Sequence, residues 1–232
     1  MSKIIGIIGA MDIEVDGIIA DMKNTTCEEI SGMKFIKGFL FDKEVVVCKC
    51  GIGKVFAGIC AQSMILKYNP CVVINSGVAG SLSKDLCVLG AVVATDVVQH
   101  DMDTSPLGDP VGLISGINLV NIRADKTVSN LLSESAKSCD VRVTRGVIAS
   151  GDQFITGKEK KDYIASTFGA VACEMEGASI GQVCYVNKVP FAILRTISDG
   201  EGEALDYFTF SKLAGEQAIK IIKKFIENYE VK

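Results

Sequence analysis

At 232 residues, with 48% hydrophobic and 22% charged side chains, the chain is long enough to bury a substantial core and shows no disordered-type bias. Its formal net charge of −4, pI near 5.2 and lack of any basic run argue against a sequence-independent nucleic-acid surface. No stretch approaches the ~18 uninterrupted apolar residues of a membrane span, and the apolar opening, broken by Gly6 and Gly9 and meeting Asp12 and Glu14, reads as a buried strand rather than a leader.

In chain order, residues 4–9 predict that first strand and 12–23 a short helix. Runs at 34–41 and 44–50, separated by Asp42-Lys43, predict a hairpin. A helix over 54–68 ends before Asn69-Pro70, and CVVIN at 71–75 is a continuous apolar strand. Further strands fit 91–99, 144–149, 170–173 and 190–195, with helices at 126–138, 158–167, 175–187 and 209–229. In the last helix, Ala214, Ala218, Ile221, Ile222, Phe225 and Tyr229 recur at one-turn spacing and leave Lys220, Lys223, Lys224 and Glu227 for solvent. Strands alternate with helices, with the hairpin and the 91–99 region breaking strict βαβ order. The expectation is an α/β sandwich around a mixed sheet, as one domain over 1–232.

The nine cysteines are odd in number and scattered, no CxxC occurs, and His100 is the only histidine, so zinc-site spacing fails. Reduced thiols packed as small hydrophobes are expected, which suits a cytoplasmic protein. His100 is read as structural or as a support behind the site residues.

Acidic residues mark three apolar run ends: Glu14 after IIGIIGAM, Glu174 and Glu176 after GAVAC, and Asp199 after PFAILRTIS. Strand ends are where open α/β sheets place their chemistry. Taken singly, Glu14 also fits a first-turn carboxylate favoured by the helix dipole, and Asp199 an N-cap or turn residue. Two glycine loops, GIGK at 51–54 and GVAG at 77–80, lack the third glycine of a dinucleotide fingerprint and the spacing of a P-loop. They read as tight strand-to-helix turns or as places of close backbone approach to a ligand. None of the four arginines, at 123, 142, 145 and 195, falls beside these loops in sequence, so a phosphate co-substrate lacks its usual clamp and water is the expected reactant.

Taken together, GAMDIE (9–14), CGIGKV (50–55), NSGVAG (75–80), HDMD (100–103), SGDQFI (150–155), CEMEGASI (173–180) and RTISD (195–199) resemble one family along its length. It is that of the 5′-methylthioadenosine/S-adenosylhomocysteine nucleosidases, within the purine nucleoside phosphorylase-like superfamily. The resemblance implies a purine/uridine phosphorylase-like three-layer α/β sandwich that hydrolyses the bond between adenine and a 5′-thioribose. It also implies a homodimer with no metal or organic cofactor. Carried over by motif, Glu14 activates water and Asp199 protonates the purine, with Ser198 orienting it. Met175 and Glu176 hold the ribose, and Glu174 is a substrate-site or pairing carboxylate. Phe154 and Ile155 take the adenine, and Met11, Ile52 and Tyr207 line the alkylthio pocket. Thr104 and Leu107 cross the dimer interface.

The chemistry suits those residue types. Cleavage passes through an oxocarbenium-like state, so the base needs a proton and the water needs a base on the opposite face. A buried Asp199 that keeps its proton would supply the first. Val78 stands where the family commonly has serine, and Tyr207 where it has phenylalanine; the 199–207 loop is short. Phosphorolysis on the same fold, and a non-catalytic nucleoside-binding protein, are the competing expectations.

Overall fold

A computed structural model of the protein describes residues 3–199 and 204–230, without the side chains of 204–208. The first half runs β1 (Ile5–Gly9), α1 (Asp12–Ile19), β2 (Lys23–Ile30), β3 (Met33–Leu40), β4 (Lys43–Lys49), α2 (Lys54–Tyr68), β5 (Val72–Ser81) and β6 (Ala91–Gln99). A 3-10 turn at Ser105–Leu107 and β7 (Ile122–Arg123) follow. Then come α3 (Lys126–Ser138), β8 (Val143–Ser150), α4 (Lys158–Phe168), β9 (Ala170–Glu174), α5 (Gly177–Asn187), β10 (Phe191–Asp199) and α6 (Ala204–Asn228).

The described strands form one mixed sheet in the order β10-β6-β8-β9-β5-β1-β4-β3-β2, with β7 on β6. Because β10 also pairs with β5, five strands close on themselves and the other four extend from them. The apolar runs of β1 and β5 are buried on both faces, as parallel strands covered by helices must be. Ile8, Val46, Cys48 and Val73 pack under α2 and α5 with Ala57, Cys60, Met64 and Ile180. Ile5, Ile7, Val45, Val47 and Ile74 face α1, α3 and α6 through Val15, Ile18, Leu132, Ile222 and Phe225. This is a three-layer α/β arrangement, and alternation along each strand sends neighbours to opposite layers.

Three departures from the sequence reading position the site. GVAG is not a turn: β5 runs through it to Ser81, because β10 and β9 supply ladder partners for these residues. Only GIGK is a turn into a helix, with φ of 92° at Gly51 and 100° at Gly53. Helix α5 starts at Gly177 rather than 175, so Glu174 ends a strand and Glu176 is the cap residue before the helix. The two carboxylates therefore do not share a helix turn. Strand β2 escaped prediction because KNTTCEEI carries no apolar alternation: it is an almost fully exposed edge held by β3.

Candidate active site

Glu14 is the third residue of α1, and its side chain folds back over the helix start. Its Oε2 accepts from the backbone N–H of Ala10 at 2.6 Å and Met11 at 3.0 Å, and Oε1 accepts from Val78 N–H on β5 at 3.0 Å. The group is 2% exposed. Burial raises its pKa; the charge of Arg195 and the three N–H donors work the other way without cancelling the rise. A carboxylate with a raised pKa is a better proton acceptor than a solvent-exposed one.

Arg195 sits opposite Gly77 in the parallel β5–β10 register. A Cβ at position 77 would lie 2.7 Å from the Glu14 carboxyl carbon and closer still to Glu14 Oε1 and Arg195 Nη1. The glycine therefore permits the contact between strand and charged pair. Nη2 of Arg195 donates to Asn75 Oδ1 at 2.6 Å and to Glu174, and lies 3.6 Å from Glu176. Burial opposes the charge of Arg195, but Glu174, Glu176 and Glu14 outweigh it and hold the guanidinium firmly protonated. The expectation that no arginine stands near the glycine loops is thus corrected. Residue 195 is far from them in sequence, and strand pairing brings it alongside.

Glu174 spends its carboxylate on the protein. It accepts from Ser150 Oγ, Arg195, and the N–H groups of Glu176 at 3.1 Å and Gly177 at 2.8 Å. Ser150 Oγ in turn accepts from Ala178 N–H at 2.7 Å, so this network ties β8 and β9 to the start of α5. Glu176 keeps more freedom: Oε1 accepts from Gly53 N–H at 2.9 Å. Burial and the neighbouring Glu174 push its pKa up to about 7, against the pull of Arg195.

Asp199, 6% exposed, closes β10. Ser198 Oγ donates to its Oδ1 at 3.3 Å, and Lys161 Nζ of α4 lies 3.4 Å from Oδ2. Both carboxylate oxygens stand 3.2 Å from where a Cβ on Gly80 would project. Gly77 and Gly80 are thus each overlain by a carboxyl group, and three residues of strand separate them by ~10 Å at ~3.3 Å per residue.

One cleft of about 640 Å³, including its open mouth, joins these groups. Glu14, Glu174, Glu176, Ser198 and Asp199 line its polar side. Met11, Ile52, Val78, Phe154, Ile155 and Met175 line the rest, with Ile155 buried and Phe154 and Ile52 about half exposed. Thr104 and Leu107 lie apart from it. Thr104 Oγ1 donates to Asp109 at 2.8 Å, and Leu107 is 83% exposed. Tyr207 lies outside the described side chains. His100 is buried beside Gly151 and does not line the cleft; burial lowers its pKa.

Sequence reasoning assigned no role to Asn75, Ser150, Lys161 or Arg195. For Asn75 and Arg195 a signal existed: each is the first polar residue to interrupt an apolar strand run. Lys161 is masked by the charged run KEKKD around it, and only its helical spacing with the buried Ile164 and Phe168 gives it away.

The site is a cleft lined by buried carboxylates on the mixed sheet of a three-layer α/β protein. The chain belongs to the phosphorylase superfamily, whose pattern it matches over residues 4–227. Within that superfamily it resembles the 5′-methylthioadenosine/S-adenosylhomocysteine nucleosidase of Oceanobacillus iheyensis, 36% identical over 96% of this chain and 98% of the relative. It also resembles the aminodeoxyfutalosine nucleosidase of Helicobacter pylori, 38% identical over 98% and 99%. A crystal structure of a mutant Helicobacter pylori nucleosidase with 5′-methylthioadenosine in its active site superposes with a TM-score of 0.94 at 36% identity, covering 99% of this chain and all of that one. The chain is an N-glycosyl hydrolase acting on nucleosides.

Proposed function

We propose that the protein hydrolyses 5′-methylthioadenosine and S-adenosylhomocysteine to adenine and the 5′-thioribose, serving methionine salvage and methyl-group recycling. The observation that carries the reading is the pair of buried carboxyl groups, Glu14 and Asp199, on one cleft but in different surroundings. Glu14, held by three N–H donors, takes the proton of the attacking water. Asp199 gives a proton to the purine, Ser198 steadies it, and Glu176 accepts from the ribose hydroxyls by charge-assisted hydrogen bonds. Phe154 and Ile155 take the adenine, and Met11 and Ile52 the thioether. Each proton transfer contributes ~10²–10⁴-fold.

Water is favoured over phosphate by charge. Three carboxylates, Glu14, Glu174 and Glu176, surround Arg195, so an incoming phosphate dianion meets net negative charge there. We also place the protein in the cytoplasm, a reading supported by its unpaired cysteines. We assign it a homodimeric state, supported by the exposed apolar side chains Ile52, Val55, Phe56, Ile59 and Leu107. Thr104 and Leu107 are the residues assigned to the partner's site.

Product analysis by chromatography tests the activity. Adenine and free methylthioribose should form at a rate indifferent to added phosphate, and Glu14→Gln should slow this by ~10²–10⁴-fold while ligand still binds. Sugar 1-phosphate formed only with phosphate would refute hydrolysis, and no adenine in either buffer would refute the substrate. The similarity to the aminodeoxyfutalosine enzyme supports a second substrate, aminodeoxyfutalosine. Competition between it and methylthioadenosine ranks the two.

A further inference from the structure

The reading of Asp199 as the acid leaves one neighbour without a role. Lys161 is 7% exposed, whereas lysine is almost never fully buried unless paired. It occupies the inward stripe of α4 with Ile164 and Phe168, while Lys158 and Asp162 pair with each other on the exposed side at 2.5 Å. An apolar residue would fill that stripe at lower cost, since desolvating an ammonium and a carboxylate often exceeds their mutual attraction. Stability does not explain the choice.

Geometry does. Lys161 Nζ faces Asp199 Oδ2 at 3.4 Å, longer than the ~2.7–2.9 Å of a tight charge-assisted bond. The ammonium thus supplies a field at the carboxyl group without engaging it closely. Ser198 stands at the other oxygen, and Gly80 leaves room beneath both. Lys161 also lines a second, smaller cleft with Ser81, Leu82 and Ser83.

We propose that Lys161 is a positioning residue for the acid, aligning Asp199 and stabilising the negative charge that appears on it as it gives up its proton. In that step the Asp199 proton moves to a ring nitrogen of the purine. The bond from sugar to base then breaks with its electron pair going to the base, and Asp199 is left as a carboxylate beside the ammonium. Water adds to the sugar carbon and passes its proton to Glu14. A cation already in place as charge develops costs no reorganisation at the moment of reaction. The inference rests on the proposed role of Asp199.

The test compares Lys161→Met, Lys161→Gln and Lys161→Arg with Asp199→Asn under single-turnover conditions on 5′-methylthioadenosine, with folding checked by circular dichroism. In whichever neutral variant folds, the chemical rate should fall by about 10–100-fold, a fraction of the ~10²–10⁴-fold of a general acid, with KM changed by less than about threefold. Lys161→Arg should recover most of the rate. A neutral variant within twofold of the wild-type rate would overturn the proposal. So would a loss confined to KM, or an equal loss in the arginine variant, which would mark a packing role. If Asp199→Asn itself turns over normally, the acid assignment has failed, whatever the lysine variants do.

Discussion

Gly77→Ala is a one-methyl change whose consequence can be worked out from the geometry. The new Cβ would lie 2.7 Å from the carboxyl carbon of Glu14, where ordinary contact begins at 3.4 Å, and nearer still to Glu14 Oε1 and Arg195 Nη1. Neither neighbour is a flexible end. Glu14 is held by three backbone N–H groups, and Arg195 by Asn75 and two carboxylates. The carboxyl must retreat by about 1 Å, and a displacement of that size costs on the order of 10²-fold in rate. Overpacking a buried site adds about 1–3 kcal/mol of destabilisation, or a fall of roughly 2–12 °C in Tm at this chain length. Adenine release from methylthioadenosine gives kcat/KM, and calorimetry gives Tm. A variant within threefold of wild type at unchanged Tm would mean that Glu14 is not held against β5 as described, and the assignment of the water-activating base would go with it.

Two further outcomes follow from the charge cluster. Arg195→Met leaves Glu14, Glu174 and Glu176 buried without their cation, which should cost about 3–5 kcal/mol in urea unfolding. Arg195→Lys should recover only part, because one ammonium cannot reproduce the planar fork; full recovery would contradict this. Glu176, with its pKa pushed up to about 7, is neutral below that pH and a weaker acceptor for ribose hydroxyls. KM should therefore rise as pH falls from 8 to 6, less so for a 2′-deoxy analogue; a flat KM would remove Glu176 from the ribose site. The same raised pKa makes the folded state bind this proton more tightly than the unfolded chain. The Glu176 contribution to stability of the ligand-free protein is then full below pH 4.5 and lost as pH rises through about 7, which a series of melts would detect.

Much of the fold was legible because its signals are local. The apolar runs of β1, β5 and β10 and the one-turn spacing in α6 record burial residue by residue. Glu14, Glu176 and Asp199 were legible through the motifs around them, and they line one cleft. The missed parts share a physical cause. β2 is held by ladder bonds to β3, which leave no apolar trace in its own sequence. GVAG looked like a turn because glycine serves turns and close-packed strands alike. Only the presence of β10 on one side decides between them.

By itself the sequence determined the alternation of elements, the buried faces and the identity of the acidic residues, because each depends on the character and spacing of near neighbours. Tertiary structure alone decided what those acids meet. Arg195 reaches Glu14 and Gly77 across a register set by β5 and β10. Ser150 finds Glu174 across β8 and β9, and Lys161 turns from a charged surface run toward Asp199. The behaviour of a buried charge depends on partners within a few ångströms, and those partners come from strands and helices that the chain order holds far apart.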